Sequence, residues 1–233
     1  MYGGSLVSFN LSILMSERTE QTGLVPFLLP IILALVLFAP LFAFRRIGPF
    51  DFWWWMGLDV VLAVIFGFLY DRPYGRILGD DLRSSLGRKI FLGVLSAGVL
   101  YGIFFAGNVV SRHLLPFAGP GIDGVYGFKQ GASVLRIGLL MGLIIGPGEE
   151  LFWRGYLQRQ WEKRFGSLPG FFASTLLYAL IHAASGNLML VLAAGVCGLF
   201  WGALYRKYQS VVLVVVSHTV WDLMVFLLLP FID

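Results

Sequence analysis

Eight ionisable residues interrupt stretches of this sequence that are otherwise apolar or border them: Asp59, Arg136, Glu149, Glu150, Arg154, His182, His218 and Asp222. Helical spacing organises most of them. Glu150 and Arg154 stand at i,i+4, so their side chains can pair on one helix face, and His218 and Asp222 repeat that spacing. Tyr178 and His182 use it again, which sets an aromatic ring one turn before a histidine. A carboxylate beside an imidazole in a partly dry pocket can act as general base toward water. A second histidine, held by Asp222, can donate to an oxyanion forming at a peptide carbonyl, while the Glu150 and Arg154 pair keeps its helix in register. Together these groups describe amide hydrolysis.

The rest of the chain says where that chemistry takes place. Of 233 residues, 58% are apolar and only 13% charged, with 21 Phe and 7 Trp, and the mean hydropathy is +0.82. A water-soluble domain needs more polar surface than this. The length suits one integral membrane domain of about seven helices at ~20 apolar residues per crossing. A net charge of +4 fits the loop bias of a membrane protein, and no nucleic-acid partner is expected. Cys197 is the only cysteine; in its apolar run it reads as a small hydrophobe. The N-terminus has no basic segment before its short apolar stretch and no small-residue cleavage site, so no removable signal is expected.

An all-α polytopic bundle follows. Spans are expected over about 21–44, 50–70 and 90–110, from 132 through Glu149 and Glu150 to about 165, then on either side of a tight turn at Ser185-Gly186-Asn187, and finally over 209–231. The chain divides into an N-terminal cytoplasmic segment 1–20, spans one to three with their loops over 21–131, and a catalytic core over 132–233. With the N-terminus inside, the inner segments hold Arg18, the basic run from Arg72 to Lys89, the group Arg154, Arg159, Lys163 and Arg164, and the pair Arg206 and Lys207. The outer ones hold only Arg45, Arg46, Arg112 and Lys129. That asymmetry favours N-inside, with the Gly- and Pro-rich loop 111–131 outside and the basic segment 71–89 along the inner leaflet. The Trp53-Trp54-Trp55 cluster reads as an interfacial belt, Asp59 and Arg136 as an ion pair between spans two and four, and His113 as solvated. Gly195, Gly198 and Gly202 make one smooth face on span six.

Depths along the helices let the ionisable groups meet. Counted from the turn at Ser167, Glu149 and His182 differ by only ~4–5 Å at about 1.5 Å per residue. His218 lies shallower on the same count, at ~15 Å against ~22–27 Å, a mismatch that helix tilt can absorb. Other intramembrane protease signatures are absent from the sequence: there is no HExxH, no GxGD and no GxSG.

The run Glu149-Glu150-Leu-Phe-Trp-Arg154-Gly155 resembles the EExxxR motif of the CPBP family, which comprises CAAX proteases and bacteriocin-processing enzymes and is also called Abi. Tyr178 to His182 is similar to its FxxxH motif and His218 to Asp222 to its HxxxN/D motif, in family order over about 132–231. The resemblance implies a membrane endopeptidase related to type II CAAX prenyl endopeptidases. It implies that Glu149 and His182 activate water, that His218 and Asp222 stabilise the oxyanion, and that Glu150 and Arg154 support the site. Two positions depart from the pattern: Tyr178 replaces a Phe and adds a hydroxyl that needs a partner, and Asp222 stands where the prenyl endopeptidases carry Asn.

Glu149, His182 and His218 would also make a His2Glu zinc set with an open position. The metal-free route, with no cofactor, is favoured here because it leaves Glu149 free to take the proton. Two other function classes are compatible with polar groups inside a bundle: a transporter, with Gly146-Pro147-Gly148 as the break in a discontinuous helix, and a non-catalytic immunity or scaffold protein. The partners expected are the bilayer and a membrane-anchored or lipidated protein cut near its C-terminus, reached by a site open to the inner leaflet. Short loops fit a bacterial cytoplasmic membrane.

Overall fold

The computed structural model describes residues 25–231, so the expected cytoplasmic segment 1–20, Arg18 and the processing of the N-terminus lie outside the described residues. The described residues are helical almost throughout, as their long apolar runs require where no water can satisfy a bare backbone. The first span, α1 (Val25–Phe44), keeps Pro30 and Pro40 within a helix. A short antiparallel turn pairs Arg46–Ile47 with Phe50–Asp51. The Asp51 carboxylate then caps α2 (Phe52–Tyr70), accepting from the backbone N–H groups of Trp53 and Trp54, both at 3.2 Å.

The basic segment after α2 forms α3 (Tyr74–Arg83) and leads into the long α4 (Leu86–Leu114). Asp81 of α3 accepts the Val212 N–H at 2.9 Å and pairs with Lys89 Nζ at 2.6 Å. It thereby ties α3 to the N-terminus of the last span, where a helix favours negative charge. The segment expected as a loop over 111–131 is itself partly helical: α5 (Ala118–Tyr126) runs into a 3₁₀ turn and meets α6 (Val134–Phe165) at a bend of 93°.

Helix α6 runs unbroken through Gly146-Pro147-Gly148, so the break that would have suggested a discontinuous transporter helix is not there. Pro147 has no N–H to donate, and a π-helical turn over Met141–Ile145 immediately precedes it; a second covers Leu151–Gln158. The chain returns through α7 (Ser167–Ile181), a 3₁₀ turn over His182–Ser185, α8 (Leu188–Tyr208) and α9 (Val211–Leu223), which ends in a π turn. Gly186 takes φ +68° at the expected turn, and Asn187 caps α8. Six of the described helices are long and apolar enough to cross a membrane, or seven when the bent α5–α6 pair is taken as one. The structure thus has the expected all-α polytopic architecture.

Two expectations fail. Arg136 pairs with Asp51, not Asp59. It sits in the first turn of α6, level with the cap of α2, whereas Asp59 lies two turns further along α2, buried, with Oδ2 unpartnered among the described residues. The tryptophans do not form one belt either: Trp54 is exposed, but Trp53 points inward and donates Nε1–H to the Phe128 carbonyl at 2.9 Å. His113 is exposed as expected.

Small residues set the helix spacings. A Cβ at Gly198 would stand 3.0 Å from Thr175 Cγ2, and one at Gly202 would meet Phe171 at 2.7 Å, while Gly195 has only Ala179 at 4.0 Å. Two of the three expected glycines therefore do the packing. The tightest crossing against backbone is at Gly170, where a Cβ would lie 2.3 Å from Glu162 N. Backbone cannot yield as a side chain can, so Gly170→Ala should lower the thermal unfolding midpoint in detergent by the equivalent of about 1–3 kcal/mol. Gly98→Ala, which would meet nothing within 4 Å, should leave the midpoint unchanged or raise it.

Candidate active site

The Glu149-Glu150 pair is placed by two close approaches about half a turn apart, on opposite sides of the helix. At Gly146 a Cβ would fall 2.8 Å from Thr219 Oγ1 of α9, and at Gly148 one would fall 2.1 Å from Val60 Cγ1 of α2. These glycines let α6 approach both neighbours, so adjacent carboxylates can face α9 and α7 from the same turn. A third approach fixes the turn that follows. The Tyr74 hydroxyl donates to the Leu151 carbonyl at 2.8 Å, and a Cβ at Gly155 would lie 1.9 Å from the Tyr74 hydroxyl oxygen. Burial pushes the Tyr74 phenol well above its ordinary range, so it remains a donor at any working pH. Arg159, one turn beyond Gly155, pairs with Asp71 at the start of the α3 segment.

Glu150 is completely buried and is the junction of the site. Its Oε1 accepts from Arg154 Nη1 at 2.7 Å and lies 2.7 Å from His218 Nδ1. Opposite a carboxylate that also holds a guanidinium, Nδ1 carries the hydrogen, which fixes how the His218 ring is turned. The other ring nitrogen, Nε2, then points toward Glu149 Oε2 at 3.7 Å and Asp222 Oδ2 at 3.5 Å. Trp201 of α8 lies flat against the imidazole, with ring centres 3.7 Å apart and planes at 20°. Its indole N–H donates to Ser217 Oγ at 3.2 Å, and Ser96 Oγ of α4 donates to the same hydroxyl at 2.9 Å. The Arg154 guanidinium stacks over the rings of Tyr178 and Trp201 at 4.7 and 5.6 Å.

On the other side, the extra hydroxyl of Tyr178 finds its partner: it donates to Glu149 Oε2 at 3.0 Å. His182 Nδ1 sits 2.7 Å from the Tyr178 carbonyl. A carbonyl only accepts, so that nitrogen bears the hydrogen and Nε2 carries a lone pair. The ring packs against Phe42 and Tyr178, with centres 4.4 and 5.0 Å away. Among the described residues no hydrogen bond joins His182 to Glu149 directly; they share a cavity of about 390 Å³ whose polar wall includes Glu149, Tyr178, His182, His218 and Asp222. Of the eight ionisable residues singled out from the sequence, six are buried in one neighbourhood, four of them lining the cavity and Glu150 and Arg154 behind it, while Asp59 and Arg136 stand apart.

Trp201, Ser217, Ser96 and Tyr74 were not foreseen. A tryptophan in the middle of a span, away from the interface where its N–H would be wet, was the available clue to Trp201. Serines and a tyrosine outside any motif left none. The donor set also bears on zinc. Among the described residues no three His, Cys, Asp or Glu side chains converge where one ion could be shared. Both Nδ1 atoms are engaged, and Glu149 and His218 approach each other without His182, the third member of the alternative His2Glu set.

Removing one partner of a buried pair strands the other charge. Glu150→Ala should therefore lower stability by about 3–5 kcal/mol in thermal unfolding. Replacing both members together, as Glu150→Leu with Arg154→Leu, should recover most of that loss.

A family model described as type II CAAX prenyl endopeptidase Rce1-like matches residues 131–224. Comparison with curated proteins and with solved structures returned no match. The matched segment contains the Glu149–Arg154 turn, Tyr178 with His182, and His218 with Asp222, and over that segment the chain is similar to the type II CAAX prenyl endopeptidases.

Proposed function

We propose that this protein is an intramembrane endopeptidase that hydrolyses a peptide bond in a membrane-anchored substrate with water activated by Glu149. The observation that carries this reading is the meeting of Glu149 and His218 on one cavity wall, at 3.7 Å between Oε2 and Nε2. That distance is too long for a direct hydrogen bond, and both groups line the cavity, where a water can contact them together. Glu149 takes a proton from this water as it attacks the scissile carbonyl, then delivers it to the departing amine. His182, whose Nε2 lone pair is left free by the bond of Nδ1 to a carbonyl, orients the same water. His218 in its charged form donates from Nε2 to the oxyanion, and Glu150 and Asp222 flank the ring to balance that charge. Arg154 does not reach the reacting atoms; it neutralises Glu150 and so keeps the His218 ring turned to the cavity.

Three observations support a peptide substrate embedded in lipid: the family match, the apolar spans and the largely apolar cavity walls. Prenylation of the substrate is not part of the proposal. The proposed route is metal-free, with Glu149 as the base and every proton carried by a side chain of the protein or by the water.

The test is cleavage of a single-span reporter in detergent or liposomes. Glu149→Gln keeps the size of the side chain and removes the base, so the rate should fall by about 10²–10⁴ or more. Cleavage undiminished in Glu149→Gln, with the protein folded, would sink the proposal. The metal-free route has its own check: activity should survive chelation and the purified protein should hold no stoichiometric metal, whereas an equimolar metal lost together with activity in Glu149→Ala would overturn it.

A further inference from the structure

The cavity occupies one half of the bundle. Its walls come from the end of α1 (Phe42), the start of α2 (Phe52, Trp53), the last turns of α4 (Asn108, Ser111), helix α5, the end of α7 (His182) and the start of α8 (Met189). All of these abut the 45–51 turn, the 111–133 segment or the 182–187 turn. Nothing in its wall comes from α3, the last turns of α6, the start of α7 or the end of α8. Glu149, Trp201 and His218 are its floor, near the midpoints of α6, α8 and α9.

The two ends of the bundle differ in charge. Arg72, Arg76, Arg83 and Arg88 lie on and around α3, and the ends of α6 and α8 add Lys163, Arg164, Arg206 and Lys207. The cavity end carries Arg45, Arg46, Arg112, Lys129 and Arg136. Three of those five are engaged within the bundle: Arg136 pairs with Asp51, and Lys129 donates to Phe226 O and Arg112 to Phe231 O, both at 3.0 Å. Excess Lys and Arg in short loops marks the cytoplasmic side. The cavity also reaches the lipid-facing surface. Ile103 of α4 and Leu192 and Val196 of α8 line it from opposite walls and are themselves exposed, at 44%, 46% and 39%.

We infer that the cavity opens away from the cytoplasm and toward the lipid between α4 and α8, so that the chain cleaved is the extracytoplasmic, membrane-proximal segment of an anchored protein. This rests on the proteolytic reading and reverses the expectation of a site open to the inner leaflet. A lipidated C-terminus displayed in the cytoplasm would approach the basic end, and from there the mass of α6, α7 and α9 lies between it and Glu149.

Two measurements separate this inference from proteolysis itself. In a Cys197→Ala background, single cysteines are placed at Gln130, exposed at the cavity end, and at Ser84, exposed at the basic end. Spheroplasts of a bacterial expression host are then treated with a membrane-impermeant maleimide. Labelling of position 130 in intact spheroplasts, with position 84 labelled only after permeabilisation, is the expected result; the reverse pattern overturns the inference whether or not the protein is active. The second measurement uses two single-span reporters carrying the same scissile segment on the outer or the inner side of the membrane. The wild type should cut the outer one at least tenfold faster, and Glu149→Gln should cut neither. Preference for the inner reporter overturns the inference, whereas failure to cut either counts against proteolysis and leaves the labelling to decide the facing.

Discussion

A carboxylate with no exposure inside a membrane protein must be balanced where it stands, and Glu150 meets that requirement with one oxygen. Its Oε1 takes a guanidinium from one turn further along its own helix and an imidazole from the last span. The approach of α6 to α9 at Gly146, the ring stacking of Arg154 on Tyr178 and Trp201, and the orientation of His218 all follow from keeping that oxygen paired. Desolvation makes such an arrangement costly to leave incomplete, which is why it fixes geometry more strongly than apolar packing alone. The neighbouring Glu149 is held more lightly, by a single phenol, and faces open volume. Adjacent residues of the same type thus acquire different duties from their surroundings.

Relations within one helix were legible in the sequence because helical geometry fixes them. The Glu150 and Arg154 pair, the approach of His218 to Asp222 and the turn at Gly186 all follow from spacing. Relations between helices were legible only as depth. Depth placed Glu149 and His182 at one level but could not say that Tyr178 would stand between them, or that His218 would reach both glutamates. Pairing Arg136 with Asp59 as the charges inside two spans took no account of depth and chose the wrong aspartate, since Asp51 and Asp59 differ by two turns and the first turn of α6 lies beside the cap of α2. Pattern reading treated Gly146-Pro147-Gly148 as a break because proline ends helices in water. In an apolar bundle a π turn keeps the helix going and the glycines serve packing.

The segment before α6 shows the same limit. Its Gly and Pro content reads as loop, yet part of it forms a helix that covers one end of the cavity, because Tyr126, Phe128 and Lys129 find partners on α9 and α2. Scarcity of charge marked the protein as a membrane bundle, and the distribution of the few remaining charges gives the bundle distinguishable ends. One set of residues thus bears on both the facing of the protein and the chemistry within it.

Asn187 ties these elements together through a single amide. Its oxygen caps α8 through the N–H groups of Met189 and Leu190, and its nitrogen donates to the Gly121 carbonyl of α5 at 2.7 Å. An aspartate here would keep the capping oxygen but replace the donor with a second anionic oxygen, which repels the carbonyl that the amide holds. The start of α8 and the seating of α5 over the cavity thus hang on opposite ends of one amide, and the loss of a single nitrogen would uncouple them.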